Sequence, residues 1–145
     1  QTSTNGPALR EGYFLDLSRA DPRWESLPPF PGEPRILATA GIADDAFWVI
    51  GGAALHADKR GQSRREYLRS VYRYRLGEGW REMPSLPRAL AASPAPASAD
   101  SRGLLLYGGD DGSQVGKDPT MHRGFRTEIL HYDLHSARWS EVGTI

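Results

Sequence analysis

The sequence predicts an all-β protein built from tandem four-stranded units, and three observations carry that prediction. An apolar run ending in a glycine pair occurs twice, as Phe47-Trp48-Val49-Ile50-Gly51-Gly52 and as Leu104-Leu105-Leu106-Tyr107-Gly108-Gly109, 57 residues apart. Tryptophans recur at 24, 80 and 139, after the similar stretches FLDLSRADPR, YRYRLGEG and HYDLHSAR. The register between these landmarks is kept. The first glycine follows the preceding tryptophan by 27 and then 28 residues, and Tyr74 and Tyr132 follow the second glycine by 22 and 23. Four short strands repeated in tandem are the signature of β-propeller blades.

The elements follow in order. Tyr13–Leu27 reads as a leading hairpin, the third and fourth strands (c and d) of one blade. The first strand (a) of each full unit falls at Ile36–Ala40 and then at Leu90–Ala97. The second (b) is the apolar run, Phe47–Ile50 and Leu104–Tyr107. The third carries the tyrosine, Ser70–Arg75 and Glu128–Tyr132, and the fourth carries the tryptophan. Positive φ and close backbone approach explain a glycine pair at the end of strand b. The tryptophan fills the gap between blades with a partner for its N–H, and Tyr74 and Tyr132 pack beside it.

Two stretches resist this pattern. ALAASPAPASAD, residues 89–100, has the composition of a linker, but the repeat makes it strand a, with Pro94 and Pro96 turned to the open edge at the central channel. Residues 62–70 alone hint at a helical period. The chain therefore divides as one propeller segment over 1–145: strands c and d at 13–27, a full blade at 35–83 and another at 89–143. Closed rings need about 4–8 blades. Two and a half predict an oligomer or a fragment, its ring completed by another chain or by sequence outside this one.

Composition bounds the function. The chain has 145 residues, 18 basic and 18 acidic side chains and no cysteine. Zero formal net charge argues against nucleic acid as partner, and no apolar run is long enough for a membrane helix. Without cysteine there are no disulfides or thiolate metal sites. The first residue, Gln1, fits a mature end left by signal removal or a boundary of the sequence.

The order Gly-Gly, Tyr, Trp within one four-stranded unit resembles the kelch repeat over residues 13–143. Within kelch proteins the chain resembles the bacterial N-acetylneuraminate epimerases (sialic acid mutarotases), including their cyclically permuted branch. YFLDLSRADPRWESLPPFPGEPR, WVIGG with its polar insert before SVYRYRLGEGW, and GGDDG with HRGFRTEILHYD carry the likeness. The resemblance implies a six-bladed propeller that interconverts the anomers of N-acetylneuraminate in the periplasm or outside the cell, with no cofactor. It also implies an arginine and an acid at the channel mouth. The family's Gly-Leu-Arg-Thr arginine falls on Arg126. The family's glutamate, six residues earlier, falls on Thr120, a departure that leaves Asp118, Asp111 or His122 to substitute.

The two long connections after strand b are the informative loops, since long ordered loops on a rigid scaffold tend to carry function. Both leave the same end of the blades. The first holds Lys59, Arg60, Arg64, Arg65 and Arg69, with Arg73 and Arg75 beyond. The second holds Asp110, Asp111, Asp118, His122, Arg123 and Arg126. Arginine grips a carboxylate through a planar fork of donors. Opening and reclosing a sugar ring needs a base and an acid. The expected catalytic set is Arg126, His122 and Asp118. The expected set for a small acidic sugar is Arg60, Arg64, Arg65, Asp110, Asp111 and Arg123. Bland readings stand beside these: a solvated or ion-paired arginine loop, and a turn capped by aspartates. Calcium on Asp110, Asp111 and Asp118 lacks a supporting spacing, and the histidines lack a zinc pattern, so no metal is expected. The competing functions are a cofactor-independent mutarotase, a noncatalytic kelch module that binds a glycan or a protein, and a structural piece of a larger extracellular enzyme.

Overall fold

The computed structural model describes residues 8–57 and 63–145. Thirteen strands form among them: β1 Tyr13–Leu15, β2 Trp24–Ser26, β3 Arg35–Ile36, β4 Thr39–Ala43, β5 Ala46–Ile50, β6 Ala53–Ala57, β7 Ser63–Tyr67, β8 Val71–Arg75, β9 Gly79–Met83, β10 Ser98–Ala99, β11 Gly103–Gly109, β12 Arg126–Asp133 and β13 Arg138–Thr144. β1 and β2 make the leading hairpin. β4-β5-β8-β9 and β10-β11-β12-β13 are two antiparallel four-stranded blades, here the middle and the last blade. A further small sheet, β3-β6-β7, joins the hairpin between strands b and c of the middle blade to Arg35–Ile36, which precedes its strand a.

The repeated landmarks fall on equivalent positions. Tyr74 is directly opposite Trp80, and Tyr132 is directly opposite Trp139. The ring pairs are alike, 5.1 Å and 5.0 Å between centroids. Trp80 Nε1 donates to the Pro28 carbonyl and Trp139 Nε1 to the Pro84 carbonyl, both at 2.9 Å. Each tryptophan thus ties its blade to the proline turn that follows the preceding one. Trp24 sits opposite Leu15 in the equivalent place but is 68% exposed.

The glycine pairs also match. Gly51 and Gly108 have φ of 60° and 58°, and Gly52 and Gly109 have 98° and 96°, the left-handed values that disfavour any side chain. A Cβ on Gly51 would run into the Leu90 carbonyl, and one on Gly108 would lie 2.5 Å from the Arg126 carbonyl. The backbone approach is used: Gly52 N–H donates to the Leu90 carbonyl at 2.7 Å.

The core lies between the two full blades. One face of the middle blade, carrying Trp48, Ile50, Ala43 and Ala46, is buried against Leu104, Leu106, Leu130 and Tyr132 of the last. Trp48 is fully buried, donates to the Ala43 carbonyl at 3.0 Å and meets Tyr132 at 5.2 Å. Gly41 leaves the room that Ala97 and Leu104 occupy.

Strand a departs from expectation in both blades. In the middle blade it is Thr39–Ala43, three residues later than Ile36–Ala40. Leu37, at φ 56°, breaks the run, and Ile36 pairs instead with Ala53. Asp44 and Asp45, both at φ 51°, then close the β4–β5 hairpin as a two-residue turn with Ala43 opposite Ala46. In the last blade, strand a is not Leu90–Ala97. It is reduced to Ser98–Ala99, plus an isolated bridge from Ala91 to Asp110. Pro94 and Pro96 cannot donate to a ladder. Irregular, exposed backbone carries them, and Ala97 N–H turns away to the Ala40 carbonyl of the middle blade, 2.7 Å off. The helical hint at 62–70 is also overturned. Over the described part, Ser63–Tyr67 is a strand paired along its length with Ala53–Ala57.

Candidate functional site

Both long connections leave the glycine-pair end of their blades. The first folds back as the β6–β7 hairpin and leans on the second. Tyr67, at the end of β7, donates its O–H to Asp110 Oδ2 at 2.9 Å. Its ring covers Gly112 so closely that a Cβ there would lie 2.5 Å away. Burial first, and then the Asp110 carboxylate, push the Tyr67 hydroxyl above its ordinary pKa. Two insertions from successive blades therefore meet at one rim.

Arg126 lies at that rim, on the first residue of β12. Its Nε donates to Asp111 Oδ2 at 2.6 Å and its Nη1 to Glu128 Oε1 at 3.3 Å. Burial alone would raise the Asp111 carboxyl. The hydrogen bonds from Ser113 and Arg126 together outweigh that and hold it well below the usual carboxylate range. Arg126 is itself raised, first by its bond to Asp111. Its side chain keeps 48% of its surface open. Asp111 is thus a fixed anion that orients the guanidinium.

Glu128 was not among the expected site residues. It and Arg126 are two apart on one strand, so they share a face. Glu128 also takes Arg88 Nη2 at 3.5 Å, and the same Arg88 nitrogen reaches the Gly108 carbonyl at 3.2 Å. Arg35 does the same in the middle blade, donating to the Gly51 carbonyl at 2.8 Å. Its guanidinium lies over Phe30 at 4.9 Å and Tyr72 at 5.4 Å. The shared Pro-Arg dipeptides, 34–35 and 87–88, are the sequence signal for this repeated clamp on the glycine pair.

The remaining expected residues are spread along the rim. Asp118 begins the short 3-10 turn Pro119–Met121, accepting from the Thr120 N–H at 2.8 Å and hydroxyl at 2.6 Å. Those bonds lower its carboxyl. His122 is exposed; its Nδ1 accepts from the Gly124 N–H at 3.2 Å, and its ring meets Phe125 edge-on. Arg123 is exposed, with its backbone N–H on Gln114 Oε1 at 3.4 Å. Arg64 and Arg65 are exposed on β7, opposite His56 and Leu55. Arg60 lies outside the described residues.

The basic tract does not act as one patch. Arg69 donates to the Leu86 carbonyl at 2.8 Å. Arg73 and Arg75 reach the opposite pole, where both pair with Asp44 and Glu78 at the two strand turns. Asp110, Asp111 and Asp118 each serve a different partner. Among the described residues no three histidine, aspartate or glutamate side chains gather as metal ligands. No helix among them is long and apolar enough to cross a membrane.

No protein-family model matches the chain. It is 30% identical over 105 residues to an N-acetylneuraminate epimerase of Yersinia enterocolitica, covering 71% of this chain and 26% of that protein. It is 24% identical to an N-acetylneuraminate epimerase of Shigella sonnei, covering 95% of this chain and 43% of that protein. The chain thus spans less than half the length of these curated relatives. Among solved structures, YjhT matches with a TM-score of 0.70 at 22% identity, over 94% of this chain and 46% of that one. With the matched tryptophans and glycine pairs, these likenesses identify the chain as a kelch-type β-propeller segment whose curated homologues are bacterial N-acetylneuraminate epimerases.

Proposed function

We propose that the rim formed by the two long connections binds a small acidic sugar of the sialic acid class and promotes interconversion of its anomers, in the periplasm or outside the cell. The observation that carries this reading is Arg126, half open and held in place by Asp111 and Glu128. A guanidinium fixed on one side by carboxylates presents its remaining N–H groups in a set direction. A sugar carboxylate beside the anomeric carbon suits them. Asp111 stays ionised at neutral pH, so it positions Arg126 and carries no proton. Asp118 is engaged in capping its turn. Of the expected proton carriers, His122 remains; with Nδ1 accepting from the Gly124 N–H its ring proton lies on Nε2, so taking a proton there as base requires the ring to give up that bond and adopt the other tautomer. Arg64, Arg65 and Arg123 would add positive charge at the rim, and no metal or cofactor enters the scheme.

The test is proton NMR of freshly dissolved crystalline N-acetylneuraminate with the complete protein. Faster anomerisation that is lost in Arg126→Ala, with the fold retained, supports the reading; an unchanged rate with the unaltered protein refutes it. A second reading, a noncatalytic glycan- or protein-binding module, is favoured by one observation. Thr120 stands where the resembling family has its glutamate, and its hydroxyl is spent on Asp118. On that reading the sugar binds and its anomerisation rate does not change.

A further inference from the structure

Two acids of the last blade's long connection are already engaged. Asp111 orients Arg126, and Asp118 caps its turn. Asp110 is bonded differently. Its Oδ1 accepts from the Gly112 N–H at 2.8 Å, and its Oδ2 accepts the Tyr67 hydroxyl at 2.9 Å. That partner is a phenol, which, unlike the threonine hydroxyl on Asp118, gives and takes protons in enzyme sites.

The repeat shows that the fold does not call for this acid. Gly52 and Gly109 have matching φ values, and the residue after them is Ala53 in the middle blade and Asp110 in the last. Ala53 is fully buried there without any charge. Asp110 also stands beside the proposed carboxylate anchor. It follows Gly109, which pairs with Arg126, and precedes Asp111, which holds the Arg126 Nε. Tyr67 and Asp110 are both half-buried. Burial, and then Asp110, raise the Tyr67 hydroxyl, whereas Arg65, two residues back on the same face of β7, works against them. A guanidinium there favours negative charge building on the phenol oxygen.

We propose that Tyr67 and Asp110 are the catalytic proton relay of the rim, with the Tyr67 oxygen against the anomeric hydroxyl of the sugar. The proposal rests on the sugar-binding reading above and supplies the base that His122 lacks in its present tautomer. The Tyr67 oxygen takes the anomeric hydroxyl proton as its own proton passes to Asp110 Oδ2. The bond from the anomeric carbon to the ring oxygen breaks, and the anomeric oxygen becomes a carbonyl. The ring oxygen keeps the bonding pair and takes a proton from water. The open keto acid presents its other carbonyl face and closes by the reverse steps, which return the protons to water, Tyr67 and the sugar.

Exchange NMR of N-acetylneuraminate at anomeric equilibrium, over a range of sugar concentrations, gives kcat and KM for the complete protein and for Tyr67→Phe, Asp110→Asn and Arg126→Ala. Phenylalanine keeps the ring over Gly112 without the proton. Asparagine keeps its Oδ1 for the Gly112 N–H and turns its Nδ2–H to the Tyr67 oxygen, so the two connections stay joined while the base is gone. The proposal expects kcat to fall at least about tenfold in both variants, with KM changed less than about threefold. Loss in Tyr67→Phe beside a normal Asp110→Asn marks a latch between the connections and overturns the proposal. A raised KM at unchanged kcat marks a binding contact and overturns it too. If both variants turn over normally while Arg126→Ala does not, the relay falls and the sugar reading stands. If the unaltered protein leaves the rate unchanged, both fall. Should Tyr67→Phe fail to fold, Asp110→Asn decides by the same two constants.

Discussion

Replacing each tryptophan by phenylalanine in turn separates a true repeat from a chance spacing. In Trp80→Phe and Trp139→Phe the aromatic contact to Tyr74 or Tyr132 survives, but the N–H donated to the Pro28 or Pro84 carbonyl is lost. A net hydrogen bond contributes about 1 kcal/mol. The smaller ring forfeits apolar burial of about 0.5 kcal/mol at a half-buried site. Each variant should therefore lose about 1.5 kcal/mol, and the two should agree within about 0.5 kcal/mol. Trp24 is largely exposed and makes no such bond among the described residues, so Trp24→Phe should stay within about 0.5 kcal/mol of the unaltered chain. Urea unfolding followed by far-UV circular dichroism reads all three. A Trp24 variant as destabilised as the other two would refute the reasoning, and so would Trp80 and Trp139 variants that differ severalfold.

Three further outcomes follow from the geometry. Gly51→Ala and Gly108→Ala should each cost at least about 1–2 kcal/mol from the left-handed backbone alone. Their contacts with the Leu90 and Arg126 carbonyls should make both worse than Gly77→Ala, where φ is 84° but nothing lies within 4 Å; thermal melts compare them. Asp111 is depressed in the folded state, so its contribution is full above the ordinary value of 3.8 and is lost as pH falls below it. Acid titration of stability should show that loss in the parent and not in Asp111→Asn. Tyr67 is raised, so its contribution is full below its ordinary value of 10.0 and is lost as pH climbs through the higher folded value. Tyr67→Phe should flatten that alkaline decline.

The sequence was legible wherever one contact recurs. Trp-to-proline carbonyl, Tyr beside Trp, and glycine pair under a neighbouring backbone are each made twice, so their spacing is kept twice. Strand a was misplaced because small residues and prolines fill it. Its position is fixed by Leu37, by the Asp44-Asp45 turn and by Ala97 bonding back to the middle blade, none of which follows a period. The β6–β7 hairpin was missed because one strand is mostly alanine and the other mostly charged, so neither alternates, and its stability comes from the two pairing with each other and β6 with β3. At the rim, Arg126 was found through a family likeness, whereas Glu128 and Arg88 were not. Seeing Glu128 requires knowing that β12 reaches back to Arg126, which puts the two side chains on one face. Seeing Arg88 requires noticing that Pro34-Arg35 and Pro87-Arg88 repeat.

The meeting of two insertions from successive blades at one rim is tested most directly by a double-mutant cycle on Tyr67 and Asp110, 43 residues apart and joined by a single hydrogen bond. A bond to a charged group at a half-buried site should give Tyr67→Phe and Asp110→Ala a coupling of about 1 kcal/mol in urea unfolding. Additive losses, within about 0.3 kcal/mol, would mean that the two connections do not touch, and the shared rim would fall with them.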